Sequence, residues 1–358
     1  MKNSSSLRTD LNRDSNMELA RIVAMAMILI GHFVFHGLQK GMPFPEVLPV
    51  LGGKEIILLS VWALCTPGVD LFVLISGYYG IKLNWKSLIS FWLLCVFYNT
   101  INLFVNTPLS GITFIKAIDV LFISRTGNWF FKAYFWLMMT SPILNKALSE
   151  FGIKALRLLC GIGIVLLCVS SWKFANPDGN TALMLMVLYF IGGYLRKEPI
   201  IQNITEKKAF AGYLTVATLT ILSGILVHDC FHKQYGILLQ HNSLLVIIMA
   251  ISLLLFFRTL DIRSKAINMW ASTVVAALFI QDMILYVPLY DYFHTMYLQE
   301  GLSGHVCLSV IAATFLIFLA AFIIELPRKK IAGKLAGFAA SKLNGLLDFE
   351  KILRKNNQ

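Results

Sequence analysis

The sequence predicts an all-α membrane protein with about ten transmembrane helices and both termini in the cytoplasm. Three observations support this fold class. First, 57% of the 358 residues are hydrophobic and only 14% are charged, whereas soluble domains carry closer to a quarter charged residues. Second, the mean hydropathy is +0.71, and the apolar residues form runs long enough to cross a bilayer. Third, lysine and arginine are unequally divided between the two sets of connecting segments, which is typical of membrane proteins.

The apolar runs predict ten spans. Their approximate bounds are 17–36, 56–80, 86–106, 129–147, 153–171, 181–195, 209–227, 239–257, 267–289 and 304–326. Pro67 and Gly68 are expected to bend the second span. With the N-terminus in the cytoplasm, 23 of the 31 lysines and arginines fall on the cytoplasmic side and 6 on the other side. The positive-inside rule therefore favours an even number of spans.

Three regions follow from these spans. Residues 1–16 form a cytoplasmic N-terminal segment, 17–326 form the transmembrane domain, and 327–358 form a basic amphipathic tail on the inner leaflet. The apolar segment 112–123 is too short to span and is expected to lie along the outer surface. Because the basic residues lie between spans and in the tail, the net charge of +12 indicates membrane lipid, and not nucleic acid, as a partner.

Ionisable residues within the spans are candidates for function, because they are costly in a membrane. Arg21 and His32 are eleven residues apart, which places them on one helix face about 16 Å apart. Depth along the spans separates the polar residues into an inner group near the cytoplasmic face and an outer group near the other face. Asp70 is near the middle of the membrane. The inner group (Arg21, Lys82, Lys86 and Ser76) could hold an anion. The outer group (His32, Lys132, Tyr134, Gln281 and Asp282) carries acid–base chemistry.

Four motifs occur in the order expected for one family. They are Arg21-x10-His32, the segment 68–78 (GVDLFVLISGY), the segment 128–145 that begins NWFFKAY and ends SPILN, and the segment 189–196 (YFIGGYLR). Together they resemble the acyltransferase 3 family of membrane O-acyltransferases, in particular its polysaccharide O-acetyltransferases. Two features depart from the family pattern. Gln281 replaces a histidine, and Lys82 and Lys86 stand where arginines are common.

The resemblance implies that residues 17–326 are an acyltransferase domain in a bacterial cytoplasmic membrane. Such a domain would move an acetyl group from acetyl-CoA, with no permanently bound cofactor, to a hydroxyl of a cell-surface glycan or its lipid-linked precursor. His32 would be the general base, with Arg21 and Asp70 also catalytic. The coenzyme A phosphates would contact Arg21, Lys82, Lys86 and Ser76. The acceptor would contact Trp129, Lys132, Tyr134, Gln281 and Asp282.

Simpler interpretations remain open for several of these residues. Arg21 could be a positive-inside anchor, Asp70 a structural ion pair, Ser76 a helix-packing residue, and Trp129 and Lys132 interfacial anchors. For the whole chain, the alternatives are a transporter or flippase for a glycan precursor and a non-catalytic assembly subunit. The substitution at Gln281 favours the last of these slightly.

The histidines outside these two groups do not indicate a functional site. The loop sequence HDCFH at 228–232, with His241 nearby, has residue types that bind zinc, but its spacing matches no standard metal site, and no metal is expected. His36, His294 and His305 are expected to be interfacial. The sequence sets neither the identity of the acceptor nor the oligomeric state.

Overall fold

The computed structural model describes residues 14–39, 51–170, 179–231 and 238–343, and within these ranges it contains helices and no strands. The α-helices are α1 (Ser15–His32), α2 (Gly53–Cys65), α3 (Gly68–Tyr79), α4 (Trp85–Asn106), α5 (Phe114–Asp119), α6 (Trp129–Glu150), α7 (Ile153–Ser170), α8 (Ala182–Lys197), α9 (Glu206–Phe231), α10 (Leu244–Thr259), α11 (Lys265–Ala271), α12 (Val275–Phe279), α13 (Tyr286–Glu300) and α14 (Gly304–Leu343). Two π-helical turns, Phe33–Leu38 and Ile280–Ile284, continue α1 and α12. Three 3-10 turns cover Leu109–Gly111, Ile123–Arg125 and Ile200–Asn203. The predicted all-α class is confirmed.

Within the described ranges, six helical segments are long and apolar enough to cross a membrane. They are Ser15–Leu38, Gly53–Tyr79, Trp85–Asn106, Glu206–Cys230, Lys265–Ile284 and Gly304–Leu343. The remaining four predicted spans coincide with helices α6, α7, α8 and α10. Whether these four also cross the bilayer stays a prediction, as does the side on which each terminus lies. Residues 1–13 and 344–358, which include most of the predicted N-terminal segment and the end of the predicted tail, lie outside the described residues.

Helix α3 lies at the centre of the bundle. Every residue from Gly68 to Gly77 is buried, which is expected of a helix that is apolar on all faces. It packs most extensively on α8, and also on α1 and α10. A Cβ atom at Gly77 would lie 1.9 Å from the Tyr189 carbonyl oxygen, and one at Gly192 would lie 2.2 Å from the Leu74 carbonyl oxygen. Glycine at both positions therefore allows the two helix backbones to touch.

Breaks in two helical segments place acidic residues inside the bundle. Proline has no backbone N–H to continue a helix, and at Pro67 the chain passes from α2 to α3, as the sequence predicts. Asp70 consequently lies in the first turn of α3, where the helix dipole favours a negative charge. In the other segment three turn residues, 272–274, separate α11 from α12, the second π turn follows α12 directly, and Asp282 lies in that π turn.

The end of the chain differs from the prediction in two ways. The predicted span 267–289 ends at Ile284, and a separate helix, α13, follows it. This helix was missed because Asp291, His294 and several tyrosines interrupt its apolar pattern. In addition, α14 continues through Pro327 to Leu343, so the described part of the predicted tail is the second half of one 40-residue helix. Its length of about 60 Å is twice the thickness of a bilayer core.

Candidate functional site

A cavity of about 790 Å³ opens at the end of α1 that carries His32. We call it the His32 cavity. Its wall comes from the end of α1 and its π turn, from α2 and the start of α3, from the residues before α6 and α10, and from the second π turn with the start of α13. The cavity extends along α1 as far as Met27. No lysine or arginine is among the described residues that line it, so its chemistry depends on imidazole, carboxylate and aromatic groups.

His32 and Asp282 face each other in the wall of this cavity. His32 Nδ1 lies 3.7 Å from Asp282 Oδ1, and the two side chains are 25% and 13% exposed. Neither atom has a hydrogen-bond partner among the described residues. The other Asp282 oxygen accepts a hydrogen bond from Asn128 Nδ2. The side-chain Oδ1 of Asn128 accepts from the Phe130 backbone N–H at 2.7 Å and caps α6. The carboxylate is therefore fixed by a helix cap and aimed at the imidazole.

A second imidazole and carboxylate meet at the same cavity. Asp70 is fully buried, and His241 Nδ1 lies 3.4 Å from its Oδ1 atom. His241 lines the cavity, and its ring lies 6.1 Å from that of Trp129, which also lines it. A buried carboxylate is costly without a partner; neither Asp70 oxygen has a hydrogen-bond partner among the described residues, and the helix dipole of α3 and the nearby His241 imidazole offset its charge. Of the sequence candidates, the structure brings His32, Asp70, Trp129 and Asp282 to this one place.

His36 also belongs to the cavity, although the sequence analysis treated it as interfacial. It follows His32 by four residues in the π turn, and the two ring centroids are 5.4 Å apart. Its Nδ1 atom lies 3.3 Å from the Tyr286 hydroxyl oxygen. The i, i+4 spacing on one helix face is a sequence signal that could have identified His36. No such signal exists for His241 and Tyr286, because they come from distant segments.

Basic residues from four segments lie toward the opposite end of α1. We call this region the Arg21 end; it comprises Arg21, Lys82, Lys86 and Arg196. Arg21 forms an ion pair with Glu18 and lies 5.8 Å from the centre of the Tyr79 ring. Lys82, Lys86 and Arg196 are exposed. Arg196 Nη1 donates to the Tyr78 carbonyl oxygen at 3.2 Å, which ties the end of α8 to the end of α3.

A polar clamp fixes the segment that precedes Lys82. Asn145 Nδ2 donates to the Ile81 carbonyl oxygen at 2.9 Å, and the Ile81 N–H donates to the Tyr189 hydroxyl at 2.7 Å. The Tyr189 hydroxyl in turn donates to Asn145 Oδ1 at 2.6 Å. Gly80 ends α3 with a φ of +79°, which glycine adopts without strain. The clamp therefore sets the direction in which the chain leaves α3 and presents Lys82.

Four predicted site residues do not line the cavity. Gln281 is fully buried beside His32 and donates to the Leu29 carbonyl oxygen at 2.9 Å. Lys132 lines a separate depression with Trp92 and Trp136. The other two are neighbours in the interior. Tyr134 lies beside Ser76 and near Arg21, and the Ser76 hydroxyl donates to its own helix at the Phe72 carbonyl oxygen.

Residues 228–231 of the predicted histidine-rich loop instead form the end of α9, and the described histidines near it do not gather around one point. His228 Nδ1 lies 2.7 Å from Asp229 Oδ1, while His241 faces Asp70. His232 lies outside the described residues. His294 contacts the Leu38 carbonyl oxygen, and His305 pairs with Glu300.

Comparison with protein families gives one match. The model of the acyltransferase 3 family, described as an acyltransferase domain, matches residues 14–326. No curated protein and no solved structure matches the chain. The matched region runs from the start of α1 into α14 and includes both the His32 cavity and the Arg21 end. The chain belongs to the acyltransferase 3 family.

Proposed function

We propose that this protein is an O-acetyltransferase that moves an acetyl group from acetyl-CoA to a hydroxyl of a cell-surface glycan or its lipid-linked precursor. Membership of an acyltransferase family supports the reaction class. The observation that carries the mechanism is the pairing of His32 with Asp282 in the wall of an open cavity, 3.7 Å apart. A hydroxyl is a weak nucleophile at neutral pH, and an imidazole oriented by a carboxylate is a suitable general base for it.

In the proposed reaction His32 accepts the proton of the acceptor hydroxyl. The oxygen attacks the thioester carbonyl, the new C–O bond forms, and the C–S bond breaks. Asp282 holds the imidazole in one tautomer and stabilises the imidazolium, while Asn128 keeps that carboxylate in place. The proton then passes from His32 to the departing thiolate, so that coenzyme A leaves as a thiol.

Direct transfer is favoured over a serine-bound intermediate. Ser76 is the serine in the motif segment 68–78, but its hydroxyl is buried and donates to the Phe72 carbonyl oxygen at 3.1 Å. It lies outside the lining of the His32 cavity. Ser76 therefore acts in helix packing, as in the simpler interpretation of the sequence.

The donor and the acceptor would occupy different parts of the protein. Phosphates need cations, and the cavity lining has none among the described residues. We therefore assign the coenzyme A phosphates to the Arg21 end, on the cytoplasmic side, with the thioester extended toward His32. Aromatic side chains that line the cavity would pack on the faces of a sugar. They are Phe35, Trp62, Trp129 and Tyr286.

The test measures acetyl transfer by the purified full chain in detergent micelles. Free thiol should appear from acetyl-CoA only when a glycan acceptor is present, and NMR should show new O-acetyl groups on that acceptor. His305→Ala is a matched control, because His305 is exposed and pairs with Glu300 away from the cavity.

Deletion of the gene should remove O-acetyl signals from the surface polysaccharide. Intact O-acetylation after deletion would contradict the proposed function.

A further inference from the structure

We infer that His32, His36 and Asp282 form a binding site for one divalent transition-metal ion of the Zn²⁺ class, with a free coordination position facing the cavity. The site uses atoms of the proposed catalytic pair, but its existence does not depend on the acetyltransferase function. His36 makes it a distinct site, because the proposed proton transfer does not use that residue.

The three side chains already lie close to the arrangement that a metal requires. One ligand atom from each lies within 4.8 Å of the other two. Two ligands bound at about 2.1 Å in a tetrahedral site are separated by about 3.4 Å. His32 Nδ1 and Asp282 Oδ1, at 3.7 Å, are nearly at that separation. His36 has to approach by a rotamer adjustment, and it is partly exposed within an open cavity.

The surroundings favour a cation over an anion. His32 Nδ1 and Asp282 Oδ1 are buried atoms with no hydrogen-bond partner among the described residues. Such orphaned atoms are costly unless something satisfies them. The cavity lining contains no lysine or arginine in the described part of the chain, so no fixed positive charge would repel the ion. Asp282 supplies one negative charge.

The ligand types indicate which ions would bind. Two imidazoles and one carboxylate suit zinc and similar transition metals, whereas Mg²⁺ and Ca²⁺ prefer sets of oxygen ligands. Three protein ligands leave one tetrahedral position free, and the cavity provides space for it. Tyr286 lies 3.3 Å from His36 Nδ1 and can orient this ring, as outer-shell partners of metal-binding histidines do.

Occupancy has a consequence for the proposed reaction. A metal held by His32 Nδ1 and Asp282 Oδ1 would occupy the space between them, where the proposed mechanism needs the Nδ1 proton to face the carboxylate. An imidazole bound through Nδ1 keeps its proton on Nε2 and has no lone pair left for an incoming hydroxyl. Bound Zn²⁺ should therefore inhibit acetyl transfer, and this consequence rests on the proposed function.

The experiment measures Zn²⁺ binding by the purified full chain, stripped with a chelator and titrated in competition with a fluorescent zinc indicator. We expect one Zn²⁺ per chain, with excess Mg²⁺ failing to compete. His36→Ala and Asp282→Asn should each weaken binding by about tenfold or more. His305→Ala should leave it unchanged, which separates the cavity from the exposed His305–Glu300 pair. His36→Gln is a second variant that removes the metal ligand but keeps a polar group near Tyr286. A size-exclusion profile identical to that of the wild type shows that it is folded.

Wild-type affinity in the folded His36 variants would overturn the inference, as would loss of binding in His305→Ala. A second measurement separates this inference from the proposed function. If Zn²⁺ binds as expected but acetyl transfer continues unimpaired, the metal site stands and the role of His32 as the base fails. If Zn²⁺ fails to bind while transfer depends on His32, the proposed function stands and the metal site fails.

Discussion

The His32 cavity and the Arg21 end lie at opposite ends of the same helix and differ in almost every physical property. His32, Asp282 and His241 line the cavity, Asp70 pairs with His241 from the protein interior, and no lysine or arginine lines the cavity among the described residues. The Arg21 end carries guanidinium and ammonium groups, three of them on exposed side chains. Proton transfer needs groups held at short distance, whereas binding of phosphate needs accessible positive charge. The contrast is what we expect if, as we propose, one membrane domain separates its acid–base chemistry from its anion binding.

The largest expected effect concerns the base. His32→Ala removes the only group in the proposed mechanism that accepts the hydroxyl proton, and kcat should fall about 10³-fold, which corresponds to about 4 kcal/mol. The measurement is acceptor-dependent thiol release by the purified protein. His305→Ala should retain wild-type activity. Normal transfer by His32→Ala would show that the chemistry does not take place at the cavity.

Next in size is the orienting carboxylate. Asp282→Asn keeps the shape of the side chain but removes the charge that stabilises the imidazolium, and kcat should fall about 10²-fold, or about 2.7 kcal/mol. The KM for acetyl-CoA should change little, because Asp282 lies in the cavity and away from the Arg21 end. A rise in KM with unchanged kcat would instead place Asp282 in donor binding.

A substitution at Gly77 tests whether the close contact between α3 and α8 stabilises the fold. Gly77→Ala would place a Cβ atom 1.9 Å from the Tyr189 carbonyl oxygen, so α3 and α8 would have to separate. Overpacking of this kind should lower the free energy of unfolding by about 2 kcal/mol or more. Thermal unfolding in detergent measures the change.

Gly161→Ala is the matched control for that substitution. Gly161 also lies within a helix, α7, but nothing stands within 4 Å of a Cβ built there. Alanine has the higher helix propensity, so this variant should be as stable as the wild type or slightly more stable. Equal destabilisation by both substitutions would contradict the close contact of α3 with α8.

The smallest effect is expected at the exposed lysines. Lys82→Gln and Lys86→Gln each remove one positive charge from the Arg21 end, and the KM for acetyl-CoA should rise about tenfold when both are changed, or about 1.4 kcal/mol. The rise should be larger at low ionic strength, because salt screens exposed charges. Lys116→Gln, at the short helix α5, is the control and should leave KM unchanged.

Much of the framework could be predicted because it depends on local pattern. Apolar runs predicted a helix at each of the ten expected spans, and Pro67 predicted the break before α3. Helix α13 could not be predicted, because polar residues interrupt its apolar pattern and its packing partner, the π turn after α1, is distant in sequence. Phe33 and Phe293 show this contact, with ring centroids 4.7 Å apart. Such a contact between distant segments leaves no local signature.

The sequence identified His32, Asp70, Trp129 and Asp282 as candidates from their position in the spans, but it did not predict which side chains contact each other. Helical spacing places Arg21 and His32 on one face, and His36 could have been found in the same way. The partnership of Asp70 with His241 depends on how α3 packs beside the segment that precedes α10. Lys132 was grouped with His32 because depth along a span gives no information about the direction of a side chain around it. In the structure it lines a different depression.

The most direct test of the separation between the two regions compares two variants under the same assay conditions. One is His32→Ala, the other is the Lys82→Gln, Lys86→Gln double variant, and kcat and the KM for acetyl-CoA are measured for both. We predict that saturating acetyl-CoA restores the double variant to near wild-type turnover and leaves His32→Ala about 10³-fold slow. Restoration of His32→Ala by excess acetyl-CoA, or a loss of kcat in the double variant that excess donor does not correct, would contradict the account.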